Sequence, residues 1–281
     1  MISVLVLTRN EQQDLPACLK SVGWSDDIHL YDSFSTDRTL EIAKAAGCKI
    51  TQRTFDNWSA HQNWGLANIP FKYPWVLYID ADERVSPELC AAALKAVEAP
   101  GEACAFRIQR RDYFGDGTWL KHAQITPYYL RLFRPERIRY ERLVNPVTIV
   151  DGPVVSIQGC LDHYPFSKGL GFWVERHVKY ADFEAKTIVE SRKNGGGFSL
   201  WKALFARDFT IRRYHQKELF CHLPCRPLIR FWYLMLARRA FLDGRAGVTY
   251  ARLQAFYEFM IVERQRELQR QEDRTRSIPA G

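Results

Sequence analysis

No uncharged apolar stretch in this 281-residue chain is long enough to span a bilayer, which takes about 20 residues. The start has no basic segment and no cleavage site. It passes directly into strand-like Ile2-Ser3-Val4-Leu5-Val6-Leu7, which argues against secretion. Cysteine is sparse, odd in number at seven, and mostly set in apolar stretches; Cys221 and Cys225 are four apart with no second close pair. That argues against zinc and for reduced cytosolic thiols. There is no internal repeat, and the only low-complexity tract is Gly195-Gly196-Gly197, which reads as a flexible joint. No nucleic-acid recognition motif occurs, and the aromatic residues of the basic C-terminal region sit among aliphatics rather than in a basic groove, so no nucleic-acid partner is expected.

What is present is enough apolar material for a sizeable core: 47% hydrophobic and 14% aromatic residues. The excess of positive charge is local. Residues 207–281 hold 15 basic and 8 acidic side chains, whereas residues 1–206 hold 25 and 24. A separate task directed at something anionic is therefore expected in the last quarter.

The first half alternates strand-like and helix-like segments. Strands are expected at Ser3–Leu7, Ile28–Tyr31, Lys49–Gln52 and Trp75–Ile79. Helices are expected at Gln13–Ser21, Thr36–Ala46 (ending at Gly47) and Pro87–Ala99. Such alternation predicts right-handed crossovers and a mostly parallel sheet. The middle reads as strands at Ala103–Gln109, Tyr128–Phe133 and Val147–Val150, separated by long polar and aromatic-rich loops. From Leu170 the pattern is helical, with Trp173–Val189 as one long helix.

The most informative segment is Asp80-Ala81-Asp82-Glu83, directly after the apolar run Trp75–Ile79. Its carboxylates emerge at a strand's C-terminal end, where open α/β sheets bind ligands. Two aspartates so spaced suit Mg²⁺ or Mn²⁺ and, through the cation, a diphosphate. An acidic turn capping the helix at Ser86-Pro87-Glu88 would look similar. Three more segments adjoin predicted strands: Thr8-Arg9-Asn10-Glu11, Asp32-Ser33-Phe34-Ser35-Thr36-Asp37-Arg38-Thr39 and His61-Gln62-Asn63-Trp64-Gly65-Leu66.

Over roughly residues 1–100 these four elements, in this order, resemble the inverting glycosyltransferase family 2, whose fold is GT-A. The resemblance implies a mostly parallel α/β sheet flanked by helices, with a C-terminal amphipathic helical extension. It implies that Thr8, Arg9, Asn10 and Glu11 line a nucleotide pocket, with Arg9 toward phosphate. Asp32 would accept a hydrogen bond from the base of a UDP-sugar. Asn63 would belong to the pocket or close a turn. Asp82 would hold the cation, and Asp80 would sit near ribose or metal-bound water. Leu130-Arg131-Leu132-Phe133-Arg134 resembles a segment of the subgroup that builds lipopolysaccharide cores, where a glutamate-bearing segment follows. Here Asn145 stands in that place, and an amide cannot accept the acceptor's proton. The general base is therefore assigned to Glu141, with Asp112, Asp116 and Asp151 as alternatives. His163, in Leu161-Asp162-His163-Tyr164, resembles a recurrent family position and is assigned to metal or diphosphate. The crowded aromatics Tyr113, Phe114, Trp119, His122, Tyr128 and Tyr129 mark the acceptor region.

The expected organisation is a catalytic domain over 1–165, a helical connector over 166–206 and a basic amphipathic region over 207–281. In the last, Pro227–Leu242 and Tyr250–Leu268 read as amphipathic helices with arginine flanks, suited to an anionic leaflet. The Phe241-Leu242-Asp243-Gly244 turn also resembles endings in this bacterial family. The expected partners are a UDP-sugar, a lipid-linked saccharide and an anionic membrane surface, with the protein peripheral on the inner face of the cytoplasmic membrane. Two other readings remain: a nucleotidyltransferase, against which the lack of glycine in Thr8–Glu11 speaks, and a non-catalytic nucleotide-sugar-binding subunit, kept open by Asn145.

Overall fold

The computed structural model describes residues 1–115, 117–141, 147–193 and 198–276. In chain order they form β1 (Ser3–Thr8), α1 (Leu15–Val22), β2 (Ile28–Asp32), α2 (Thr39–Ala45), β3 (Lys49–Gln52), α3 (Trp58–Asn68), β4 (Val76–Asp80), β5 (Glu83–Val85) and α4 (Pro87–Glu98). Then follow β6 (Ala105–Asp112), β7 (Tyr128–Phe133), β8 (Ile138–Glu141), β9 (Val147–Val150) and β10 (Val154–His163). The helices α5 (Gly169–Lys193), α6 (Leu200–Phe205), α7 (Phe209–His222), α8 (Arg226–Trp232) and α9 (Gly244–Arg276) complete the chain. The Gly195–Gly197 joint, Asp116 and Asn145 lie outside the described residues.

The chain divides into two compact units. One comprises Met1–Lys121 and Ile125–Ser167; the other comprises His122–Gln124 and the chain from Lys168 onward. The first unit is built on an eight-stranded sheet in the order β3-β2-β1-β4-β7-β6-β10-β5. The run β3-β2-β1-β4 is parallel, as is β6–β10, while β7 and β5 pair antiparallel to their neighbours. A separate ribbon pairs β8 with β9. The central strands are buried on both faces, as a helix-covered parallel sheet requires. Along β1, Val4 and Val6 join Leu30, Leu77 and Ile79 under Leu15 and Leu19 of α1 and Leu89 of α4. Leu5 points the other way, with Tyr31, Tyr78 and Phe133.

Three strands were not legible as such: β5, which begins inside the acidic tetrapeptide, β8, read as loop, and β10, whose pairing shifts register between Ser156 and Cys160. That irregularity breaks the alternation by which a strand is read.

One buried charge stabilises the end of the sheet away from the strand tips. The carboxylate of Asp27, fully buried, accepts from Ser3 Oγ at 2.5 Å, Lys49 Nζ at 2.6 Å and the Lys72 N–H at 2.8 Å. Burial raises its pKa, but these partners overrule burial and hold it down to about 2. A carboxyl with a folded pKa below its unfolded value of about 3.9 stabilises the fold above that value and loses the effect as pH falls toward the folded pKa. We expect about 2 kcal/mol of stability to disappear between pH 4 and 2 through this group. Asp27→Asn should remove that share of the acid limb in denaturant titrations run at stepped pH. An unchanged limb would place the titrating group elsewhere.

In the second unit, Ala181, Ala185 and Ile188 of α5 pack with Cys221 of α7 and Ile261 of α9. The small alanines let the helices approach closely. Inside this unit Asp243 gathers the N–H groups of His122 and Ala123, at 2.9 and 2.7 Å, and the His122 imidazole at 2.6 Å. This explains the Phe-Leu-Asp-Gly turn, and it commits His122, assigned by sequence to the acceptor region, to a structural hydrogen bond. Gly247 completes the turn: a Cβ there would lie 1.9 Å from the Ala240 carbonyl oxygen.

Candidate active site

The strand tips come together as the parallel register demands. Thr8 pairs with Asp32 across β1 and β2, and Leu7 with Asp80 across β1 and β4. The loops beyond these tips are laced to each other. The N–H of Asn10 donates to Ser35 Oγ at 2.8 Å, and the N–H of Thr36 to Asn10 Oδ1 at 2.8 Å. The N–H of Glu11 donates to Thr39 Oγ1 at 2.8 Å, and Asp37 accepts from the Thr39 N–H at 3.0 Å. Asn10 and Phe34 both hold left-handed backbone, with φ of 57° and 54°. Such strain in non-glycine residues concentrates at functional loops. Phe34 is also exposed; sequence reasoning passed over it. Arg9 is exposed at the same rim.

Asp32 differs from its expected use. It is fully buried. Its carboxylate accepts from Thr8 Oγ1 at 2.9 Å, Ser35 Oγ at 2.5 Å, the Ser35 N–H at 2.9 Å and Gln52 Nε2 at 3.0 Å. A carboxylate offers about four lone-pair positions, and the protein fills them. In this structure Asp32 orders the loop rather than facing a base.

The acidic tetrapeptide turns from β4 into β5. Asp80 Oδ2 and Glu83 Oε1 share Arg131 Nη2 at 2.7 and 2.8 Å. Glu83 Oε2 also accepts the Asp80 N–H at 3.0 Å. Arg131 lies over Tyr78, 4.6 Å from the ring centroid. Burial pushes the Glu83 carboxyl up, against the pull of Arg131. Sequence reasoning used Arg131 only as part of a family resemblance and gave it no role, although it fixes the first aspartate of the pair.

Asp82 points elsewhere. Its Oδ2 lies 3.3 Å from His163 Nε2, and its carbonyl accepts the Tyr164 N–H at 2.9 Å. The other ring nitrogen of His163 is held by Asp112, its register partner on β6. Burial lowers the imidazole pKa, but the hydrogen bonds to Asp112 and Asp82 outweigh it and raise the pKa to about 9. A ligating histidine ordinarily has its far nitrogen tied to a carboxylate in this manner. Among the described residues no three His, Cys, Asp or Glu side chains gather into a metal-holding group. Asp82 and His163 would fit an open site completed by substrate oxygens and water once the imidazole gives up the proton it holds toward Asp82, since a ligating histidine must be neutral.

Asn63 resolves toward structure. Its Nδ2 donates to the Tyr140 carbonyl and its Oδ1 accepts the Tyr140 N–H, both at 2.8 Å, clamping β8 to α3. Gly65, two residues further along α3, admits Tyr31: a Cβ would lie 2.8 Å from that ring. The next residue after Tyr140 is Glu141, the end of β8, exposed and bonded to Arg139 Nε at 2.9 Å. Of the expected acceptor aromatics, Tyr113 stacks on Tyr164 at 5.1 Å and Tyr128 is exposed.

The chain is an α/β protein with acidic side chains at the carboxyl ends of β2 and β4, on either side of β1, where open α/β sheets bind ligands. Residues 3–161, more than half the chain, match the family described as Glycosyl transferase family 2, and the chain belongs to it. It is similar to the lipopolysaccharide core biosynthesis glycosyltransferase LpsC of Rhizobium meliloti, 25% identical, with 90% of each chain covered. An uncharacterised glycosyltransferase of Rickettsia conorii is 34% identical over 76% of this chain and 80% of its own. Among solved structures, glucosyl-3-phosphoglycerate synthase of Mycobacterium tuberculosis, crystallised with Mn²⁺ and UDP, overlaps 41% of this chain and 44% of its own, at 18% identity and a TM-score of 0.33.

Proposed function

We propose that the protein is an inverting, metal-dependent transferase. It moves a hexose from a UDP-sugar to a lipid-linked glycan, a lipopolysaccharide core or exopolysaccharide precursor, at the inner face of the cytoplasmic membrane. The observation that carries this reading is that Thr8, Asp32 and Asp80 end three adjacent parallel strands, Thr8 in register with Asp32 and Leu7 with Asp80, while Asp82, in the turn after β4, meets His163 at 3.3 Å. The likeness to LpsC supports the acceptor class.

In this reading the laced loops at Thr8–Glu11 and Asp32–Thr39 bind the nucleotide in a preformed shape, and Arg9 meets phosphate. Asp82 and His163 would hold the divalent cation, which when bound offsets negative charge on the departing diphosphate, a contribution of several kcal/mol. Arg131 keeps Asp80 in place. Glu141 takes the proton of the acceptor hydroxyl as that oxygen attacks the anomeric carbon from the face opposite the diphosphate.

The test is thermal protection. UDP with Mn²⁺ should raise the melting temperature, and Asp82→Ala should abolish the rise. Equal protection by every nucleoside diphosphate would remove the uridine assignment. Turnover with none of a full panel of donors and acceptors would turn the protein into a binding subunit.

A further inference from the structure

The helical segment running from α8 through the wide π turn Tyr233–Ala237 leaves most of its large apolar side chains on the outside. An amphipathic helix in a water-soluble fold turns its apolar side inward. Here the inward positions hold Leu234, which is 3% exposed, but also Arg226, which is 4% exposed and joined to Glu258 of α9 at 2.6 Å. Arg230 likewise reaches back to Gln254 at 3.3 Å. The outward positions are Leu228, Ile229, Trp232, Tyr233 and Leu236, with Leu228 61%, Trp232 54% and Leu236 66% exposed. Their spacing of one and four residues puts them on one continuous stripe.

We propose that this stripe inserts, in the plane of the surface, into the acyl border of a lipid bilayer. The proposal rests on the membrane part of the function proposed above and changes its physics from electrostatic attraction to apolar insertion. Four features favour lipid as the occupant. A contiguous exposed apolar patch marks an interaction surface. Trp232 and Tyr233 are the side chains that favour the level between headgroup and acyl chain. No carboxylate occurs between Glu218 and Asp243, whereas Arg238, Arg239 and Arg245 cluster where the stripe ends, suited to lipid phosphates. The exposed apolar positions run along one side of the segment, the geometry of a helix lying in the interface.

Vesicle flotation of the full chain tests this. The wild type should float on pure phosphatidylcholine and stay bound at about 1 M salt, where charges are screened beyond about 3 Å. Trp232→Glu with Leu236→Glu, both at exposed positions, should cut the membrane partition coefficient by about 10²-fold or more, as losing two buried large apolar side chains predicts. That variant should keep its protection by UDP and Mn²⁺, which shows the fold intact. Arg239→Gln with Arg245→Gln should change binding little at high salt. Flotation only on anionic vesicles at low salt would overturn insertion while leaving the membrane reading standing. Flotation by no protein under any condition would overturn both. Undiminished flotation of the Trp232/Leu236 variant, or a soluble dimer that this variant dissolves, would give the stripe to another role.

Discussion

Arg131→Met should lower the stability of the folded protein by about 3–5 kcal/mol, the usual cost of removing one partner from a buried ion pair. The guanidinium is 6% exposed, and it is the near neighbour of two carboxylates, Asp80 at 2.7 Å and Glu83 at 2.8 Å. Glu83 is fully buried, and burial already raises its carboxyl. Without the arginine it would be left as an uncompensated charge or forced to take a proton. The only other cation close to Glu83 among the described ion pairs is Arg110, at 3.6 Å. Methionine keeps the apolar stem against Tyr78 but none of the hydrogen bonds. A coupled variant isolates the electrostatic part: Glu83→Gln added to Arg131→Met should recover a large share of the loss. Denaturant titration of the three variants decides the matter. A loss below about 1 kcal/mol would mean that Arg110 and water suffice for Glu83, and that Asp80 is not held by Arg131 in any energetic sense.

This cluster also marks where sequence reading stopped. Asp80 and Asp82 were recognisable because their order after an apolar strand, together with Thr8–Glu11 and Asp32–Thr39, forms a linear pattern. Arg131 joins Asp80 across a gap of 51 residues in sequence, and nothing local to Leu130-Arg131-Leu132 says that the arginine points into the sheet. Asn63 was undecided between pocket and scaffold for the same reason, since its partner Tyr140 is 77 residues away. Asp32 was located correctly at a strand tip. Its four donors, however, come from three different segments, so its occupancy by the protein was invisible. The amphipathic spacing of the C-terminal helices was legible too, but periodicity carries no sign. It says that two faces differ, and only packing against α9 reveals that Arg226 lies on the inner one.

Glu141→Gln should lower turnover by about 10²–10⁴, the range that loss of a general base produces, while leaving protection by UDP and Mn²⁺ unchanged. The substitution keeps the shape of the side chain and an oxygen that can still accept from Arg139. It removes only the capacity to take a proton. The structure narrows the alternatives. Asp112 is 3% exposed and committed to His163 and to Arg110 at 3.3 Å, so it has no approach to an acceptor hydroxyl. Asp151, just past the end of β9, is paired with Arg137 at 2.9 Å beside β8's start, away from the Glu141 end of that strand. Glu141 is accessible, and the Asn63 clamp on Tyr140 restrains the strand just before it. Asn63→Ala should therefore reduce turnover less than Glu141→Gln does, again without weakening nucleotide protection, because it frees the strand but leaves the carboxylate. If Glu141→Gln turns over within about threefold of the wild type, well short of the loss expected for a general base, the proton goes elsewhere, and the ribbon loses its part in the chemistry. If instead both nucleotide protection and turnover fall together, Glu141 contributes to donor binding, and the division of labour between strand tips and ribbon must be redrawn.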